Sequence, residues 1–196
     1  MAGMQLANAQ GGPVSLYYGV GTATDSSSNQ QIDTFGTGIP FTSPKLGGLT
    51  SDIGGLFMFS KHIGVSADLD WRDTRAAYAG LNYRPFFYNF DAVYEPVKTK
   101  RVVPEIRVGL GGVNLGYSYS STACDQFAGC ATSNQSVESS HHFQVDMQAA
   151  ARIYLTNHLF LRPAVEAHFV NNFFQFGSDW VPSASMGIGW SFGNPE

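Results

Sequence analysis

Hydrophobic and polar residues alternate with period two along much of this chain, most clearly from His142 to Val170. One set holds His142, Gln144, Asp146, Gln148, Arg152 and Tyr154; between them stand Phe143, Val145, Met147, Ala149, Ala151, Ile153 and Leu155. Successive side chains of a strand point to opposite faces, so this pattern predicts a strand. After a tight turn at Thr156, Asn157 and His158, Leu159, Leu161, Val165, Ala167 and Phe169 share one parity and Arg162, Glu166 and His168 the other. The pair predicts a hairpin with a greasy face and a sparse ionic face.

The same alternation predicts the remaining strands. Val14 to Ala23 sets Leu16, Tyr18 and Val20 against Ser15, Tyr17, Gly19 and Gly21; Leu49 to Ser60 sets Ile53, Gly55, Phe57 and Phe59 against Asp52, Gly54, Leu56 and Met58. A third strand carries Val65, Ala67, Leu69 and Trp71 opposite Ser66, Asp68, Asp70 and Arg72. Leu81 to Glu95 has an aromatic face of Phe86, Tyr88, Phe90 and Tyr94 opposite Asn89 and Asp91. From Val102 past Tyr117, Ile106, Val108 and Leu110 oppose Glu105 and Arg107, with Gly111-Gly112 expected to mark a bulge or bend. The last strand, Trp180 to Phe192, sets Ala184, Met186, Ile188, Trp190 and Phe192 against Ser183, Ser185, Gly187, Gly189 and Ser191. With the hairpin, eight strands are expected.

Three connections are tight, near residue 61, at 95–101 and at 156–158, and four are mostly longer and more polar, at 24–45, 74–80, 120–137 and 171–179. Short turns at one end and longer loops at the other are the signature of an up-and-down membrane barrel. Alternation alone does not separate it from a soluble ligand-binding barrel, which is apolar inside. Composition does. Charged residues make up 13% of the chain, about half of the roughly 25% usual in a soluble domain. Lysine is confined to Lys45, Lys61, Lys98 and Lys100, in turns and loops. That is too little charge to coat a wetted surface, whereas a sparse, mixed set of acids and bases suits a narrow interior where ions pair. The expected fold is therefore all-β, an eight-stranded antiparallel up-and-down transmembrane β-barrel with its apolar face outward. A net charge of −4 with only 11 Lys and Arg argues against nucleic-acid binding. No apolar run approaches the roughly 18 residues of a membrane helix.

Measured from the short-turn end, Asp91, Glu105, Arg107, Arg152, Arg162 and Glu166 fall at similar depth and are expected to form one lumenal ionic cluster. Asp52, Asp68, Asp70, Arg72, Asp146 and His168 are expected in a layer above it. On the outward face, Trp71 near the loop end and Tyr94, Trp190 and Phe192 near the turn end are candidate interfacial aromatics. An Asp52, Asp68 and Asp70 group offers cation ligands, but the nearby arginines favour ion pairing. Gly19-Val20-Gly21 and Gly109-Leu110-Gly111-Gly112 open no helix, so they are read as glycines easing strand twist rather than phosphate loops.

Residues 1–12 stand outside the alternation. Ala7-Asn8-Ala9 before Gln10 has the small-x-small form of a signal-peptidase site, so this segment reads as a signal-peptide remnant or a disordered N-terminus. The single barrel domain spans 13–193, and 194–196 form a tail. Cys124 and Cys130, close together in a polar segment from Ser120 to Val137, suit a disulfide-closed loop in an oxidising compartment; a metal site would require further ligands nearby.

The alternating strands, the loop asymmetry and the closing strand SASMGIGWSF resemble the small outer-membrane barrels of the OmpA transmembrane domain, OmpX and OmpW type. YRPFFYNFDAVYEP and RPAVEAHFVNN also resemble outer-membrane β-barrel proteins with no assigned activity. The chain departs from that pattern in two ways: no peptidoglycan-binding domain follows the barrel in this sequence, and Gly193 to Glu196 trail the terminal aromatic Phe192. The resemblance implies a monomer in the outer membrane of a Gram-negative bacterium, assembled by the barrel-assembly machinery among lipid and lipopolysaccharide. Arg72-Asp73-Thr74-Arg75 at the loop rim is a candidate for lipopolysaccharide phosphates, with a solvated loop as the plainer reading. The expected role is structural, adhesive or surface-interacting, with an ion-paired, plugged lumen and no cofactor, the loop partner being undefined; a small-solute channel is the alternative. The chain also resembles lipid A deacylases of the PagL type in size, and those carry His and Ser two residues apart on one strand. His168 has no such Ser after it, and His141-His142 behind Ser139-Ser140 offers the residue types without the pattern, so no catalytic residue is assigned.

Overall fold

A computed structural model describes residues 13–25, 30–33, 36–99, 101–125, 129–173 and 176–193. The expected signal remnant and the C-terminal tail lie outside them. The strands are β1 Val14–Ala23, β2 Gln31–Ile32, β3 Phe41–Thr42, β4 Thr50–Met58, β5 Ile63–Arg72, β6 Ala76–Tyr78, β7 Leu81–Tyr94, β8 Val102–Asp125, β9 Gly129–Tyr154, β10 Leu159–Val170 and β11 Trp180–Phe192. Of these, β1, β4, β5, β7, β8, β9, β10 and β11 pair antiparallel in that order, and β11 returns to β1 in register from Val14↔Phe192 to Ala23↔Ser183. The result is a closed eight-stranded barrel. Closure leaves no sheet edge within the ring, which is what a backbone surrounded by hydrocarbon requires. β6 extends the outer end of β7, and β2 with β3 forms a separate ribbon.

The three short turns share one device. The hydroxyls of Ser60, Thr99 and Thr156 each accept the backbone N–H three residues on, from Ile63, Val102 and Leu159, at 3.0 Å in every case. Each donor is the first residue of the next strand, so a local hydroxyl bond reverses the chain at each turn.

The barrel is inside out relative to a soluble sheet. Leu16, Ile53, Phe57, Leu69, Phe90, Ile106, Leu110, Met147, Val165 and Ile188 are between 42% and 67% exposed, while Arg107, Arg162, Glu105 and Asp146 are buried. It is a transmembrane β-barrel.

Two expectations are corrected. Ser120 to Val137 is not a loop: β8 and β9 continue pairing through it to Asp125↔Gly129, and Cys124 and Cys130 face each other across the ribbon in a disulfide. Ser- and Thr-rich sequence pairs readily when a partner strand is held opposite, as the Thr122–Thr132 hydroxyl pair at 3.0 Å and the Tyr119 bond to Gln135 at 2.6 Å show. The irregularity in β8 also lies between Tyr117 and Ser118 rather than at Gly111-Gly112. Those glycines instead leave space for Tyr88: a Cβ at Gly111 would strike its carbonyl oxygen and one at Gly112 its hydroxyl.

Candidate functional site: the barrel interior

Inward residues stack in layers from the short-turn end. In the lowest, the Arg152 guanidinium (β9) donates to Ser15 Oγ and Tyr154 Oη, both at 3.1 Å, and pairs with Glu95 and Glu105. Lys98 closes on Glu95 from the turn at 3.0 Å.

The next layer centres on Arg107 (β8). Its Nη1 donates to Tyr17 Oη at 2.7 Å, Ser66 Oγ at 3.2 Å and Asp68 Oδ2 at 3.1 Å, and its Nη2 donates to Glu105 Oε2 at 2.8 Å. Tyr17 in turn donates to Asp68. Arg162 (β10) reaches Glu105 at 3.4 Å, donates to Gln148 and lies over the Tyr17 ring at 4.2 Å. Glu105 is thus shared by three guanidinium groups, which offsets much of the cost of burying it.

Above this, acids outnumber bases. Asp91 accepts from Ser66 at 2.8 Å. Asp91, Gly109 and Asp146 are register partners across β7, β8 and β9, and a Cβ on Gly109 would strike Asp91 and lie 2.9 Å from Asp146, so both carboxylates lean over the glycine. Glu166 accepts from Asn89 at 2.9 Å and Gln148 at 3.0 Å, and His168 Nδ1 stands 3.4 Å from it. Asp52 faces Asp70 across β4 and β5. Among the described residues, Asp52, Asp70, Asp91 and Asp146 make no ion pair, and no group of three His, Cys, Asp or Glu could hold a metal ion.

The external mouth is closed by apolar side chains. Phe87, Val113, Leu115, Val170 and Val181 from the wall pack with Leu46, Phe173 and Phe176 from the loops, and Leu46, Phe173 and Phe176 are at most 1% exposed. Phe173 and Phe176 stack at 4.3 Å, and His168 below meets Phe87 at 5.0 Å.

Every residue expected in the lumen below the rim lies on the inward face, but the layers are shuffled. Asp68, expected above, joins the Arg107 cluster; Glu166, expected below, lies with His168 beneath the cap. Arg72 sits at the rim, donating to the Lys45 carbonyl at 2.8 Å. Of the aromatics, Tyr94, Trp190 and Phe192 are exposed at the turn end and Trp71 is half-buried opposite Phe86 near the loop end. Sequence reasoning missed Glu95, which shares the inward parity of Asn89 and Asp91 but was assigned to the turn, and the neutral partners Tyr17, Ser66, Asn89 and Gln144. It also missed the cap, whose signal was apolar residues within polar loops.

Comparison with solved structures joins this geometry to known architectures. The Neisserial surface protein A aligns over 92% of this chain and 97% of its own, with 13% identity and a TM-score of 0.60. OprG of Pseudomonas aeruginosa aligns over 95% and 99%, with 11% identity and a TM-score of 0.56. Ail of Yersinia pestis, solved in complex with the heparin analogue sucrose octasulfate, aligns over 91% and 97%, with 12% identity and a TM-score of 0.54. The chain has the fold of the small outer-membrane barrels. No protein-family model and no curated protein matches the sequence.

In this barrel one Ser–His pair does meet: His142 Nε2 lies 3.2 Å from Ser140 Oγ, and His142 Nδ1 lies 3.2 Å from the Asn171 carbonyl. The imidazole is oriented by a backbone carbonyl rather than a carboxylate and packs edge-on against Phe173 of the cap at 5.5 Å. The imidazole thus joins β9 to the loop after β10.

Proposed function

We propose that this chain is an integral protein of the Gram-negative outer membrane whose barrel is an anchor rather than a pore. The external loops and the β8–β9 ribbon are its surface for interaction. One observation carries the reading: the Arg107, Arg152 and Arg162 network spans the lower lumen and the Phe173–Phe176 cluster packs across the upper end. An ion-paired interior supports the wall while obstructing solutes, and an apolar cap has no groups with which to rehydrate a passing ion. On the outer wall, exposed Arg84 stands two residues beyond Phe86 and donates to the Arg72 carbonyl at 2.7 Å, well placed for phosphates of a lipopolysaccharide leaflet. Liposomes containing the purified barrel are expected to swell in isosmotic arabinose no faster than protein-free liposomes. Rapid swelling would overturn the anchor reading in favour of a small-solute channel.

A further inference from the structure

At the external rim, beside the cap and outside the lumen, a cavity of about 550 Å³ opens between the β3 segment, the end of β5 and the β6–β7 hairpin. That is within the usual size range of small-molecule sites. Its floor is Tyr78 and Tyr83, both buried; half-exposed Phe41 forms one wall, edge-on to Tyr78 at 6.5 Å. The opposite wall is made of small residues, Ala76 among them, where the chain reverses through positive φ at Ala79 and Gly80. The polarity of the cup is one-sided. Its charged lining residues are Lys45 and Arg72, with no carboxylate among the described lining residues.

The Arg72 side chain and the Lys45 backbone are held in place. The Lys45 carbonyl accepts from Arg72 Nη1 and from the Tyr83 hydroxyl, which anchors the Lys45 backbone while its side chain stays exposed. Arg72 Nε is shielded from solvent and has no hydrogen-bond partner. Neither cation is in an ion pair among the described residues. Two acids nearby each accept a hydrogen bond, Asp25 from the Leu46 N–H at 2.7 Å and Asp73 from the Ser51 hydroxyl at 2.9 Å. An arginine and an exposed lysine on one rim, neither in an ion pair among the described residues, together with an aromatic wall suit a ligand with an anionic group on a flat, partly apolar ring.

We propose that this cup binds an anionic saccharide, a sugar ring bearing a phosphate or carboxylate. The anion sits between Lys45 and Arg72, the ring packs on Phe41, and the sugar hydroxyls meet Thr42 at the mouth. The inference rests on the external end being the interaction surface, and names the ligand class for it.

The test is isothermal titration calorimetry of the full chain in detergent micelles with glucose 6-phosphate as probe and glucose as control. Wild type is expected to bind the phosphorylated sugar at least tenfold more tightly than glucose, with affinity falling as salt rises. Lys45→Gln and Arg72→Gln are each expected to weaken it by about tenfold, the loss of one charge-assisted contact. Ala76→Trp, on the same face of the β6–β7 hairpin as Tyr78 and Tyr83, fills the cup without removing a charge and is expected to abolish binding. Lys61→Gln, in the short turn between β4 and β5 at the opposite end of the barrel, is expected to bind as wild type. Heat-modifiable gel migration checks that each variant is folded. Equal affinity for the two sugars, or charge variants that bind as wild type, would overturn the proposal. Weaker binding in lipopolysaccharide-containing nanodiscs assigns the natural ligand to the surrounding leaflet and unchanged binding to a free saccharide; both outcomes support the cup. Failure here leaves the anchor reading standing, because liposome swelling reports on the lumen alone.

Discussion

Glu105 shows how much one side chain can organise at the residue scale. It is buried against Arg107, Arg152 and Arg162, and through Arg107 it connects to Asp68 and Tyr17. Removing one partner of such a network leaves the others uncompensated, which costs about 3 to 5 kcal/mol. Arg107→Leu is therefore expected to lower the unfolding free energy by about that amount in urea titrations of the vesicle-inserted barrel; a loss near zero would show that the charges are already neutralised by other means. Gly54 is a second sensitive position, because a Cβ there would strike both Asp68 and the Tyr17 ring. Gly54→Val is expected to cost about 1 to 3 kcal/mol in the same assay, the usual penalty of overpacking. The inward parity of Glu105, Arg107 and Arg162 was legible in the sequence. Which acid meets which arginine was not, because it depends on the stagger of strands distant in sequence.

At the scale of elements, the β8–β9 ribbon departs most from sequence expectation. Beyond Ser118, the last β8 residue paired with β7, it projects about 25 Å, at about 3.3 Å per residue, and its tip is tied by Cys124–Cys130. Among the described residues, the lumenal ion pairs lie outside it. The double substitution Cys124→Ser with Cys130→Ser is accordingly expected to leave heat-modifiable migration unchanged while opening residues 118–137 to limited proteolysis, read by mass spectrometry of the fragments. Loss of the folded band would show instead that the ribbon nucleates the barrel. Its sequence, rich in Ser, Thr and Asn, reads as loop because intrinsic preference is weak there; pairing, continued outward from a hairpin already in register, supplies the order.

For the whole molecule, the decisive property is the outward apolar wall. Val165, 59% exposed in the middle of β10, and Leu155, 56% exposed at the turn end, differ in depth rather than chemistry. Val165→Arg is expected to destabilise the inserted barrel by about 2 to 4 kcal/mol and Leu155→Arg by about 0 to 1 kcal/mol. Reversible unfolding in lipid vesicles measures both, and equal costs would mean that the wall does not face hydrocarbon.

Taken alone, the sequence determined the eight strands of the barrel, the bounds of β1 and β11, the sense of the two faces and the asymmetry of turns and loops, but not the short strands β2, β3 and β6 within those loops. Each of these follows from a period of two and a shortage of charge, both of which are local or compositional. Only the tertiary structure decided that Asp68 belongs with Arg107, that Glu95 turns inward to Arg152, and that Leu46, Phe173 and Phe176 leave their loops to cap the mouth. Depth inside a closed barrel is set by the stagger accumulated around the ring, and a cap is set by loops meeting across it. Both join residues far apart in the chain, and no window of sequence contains them.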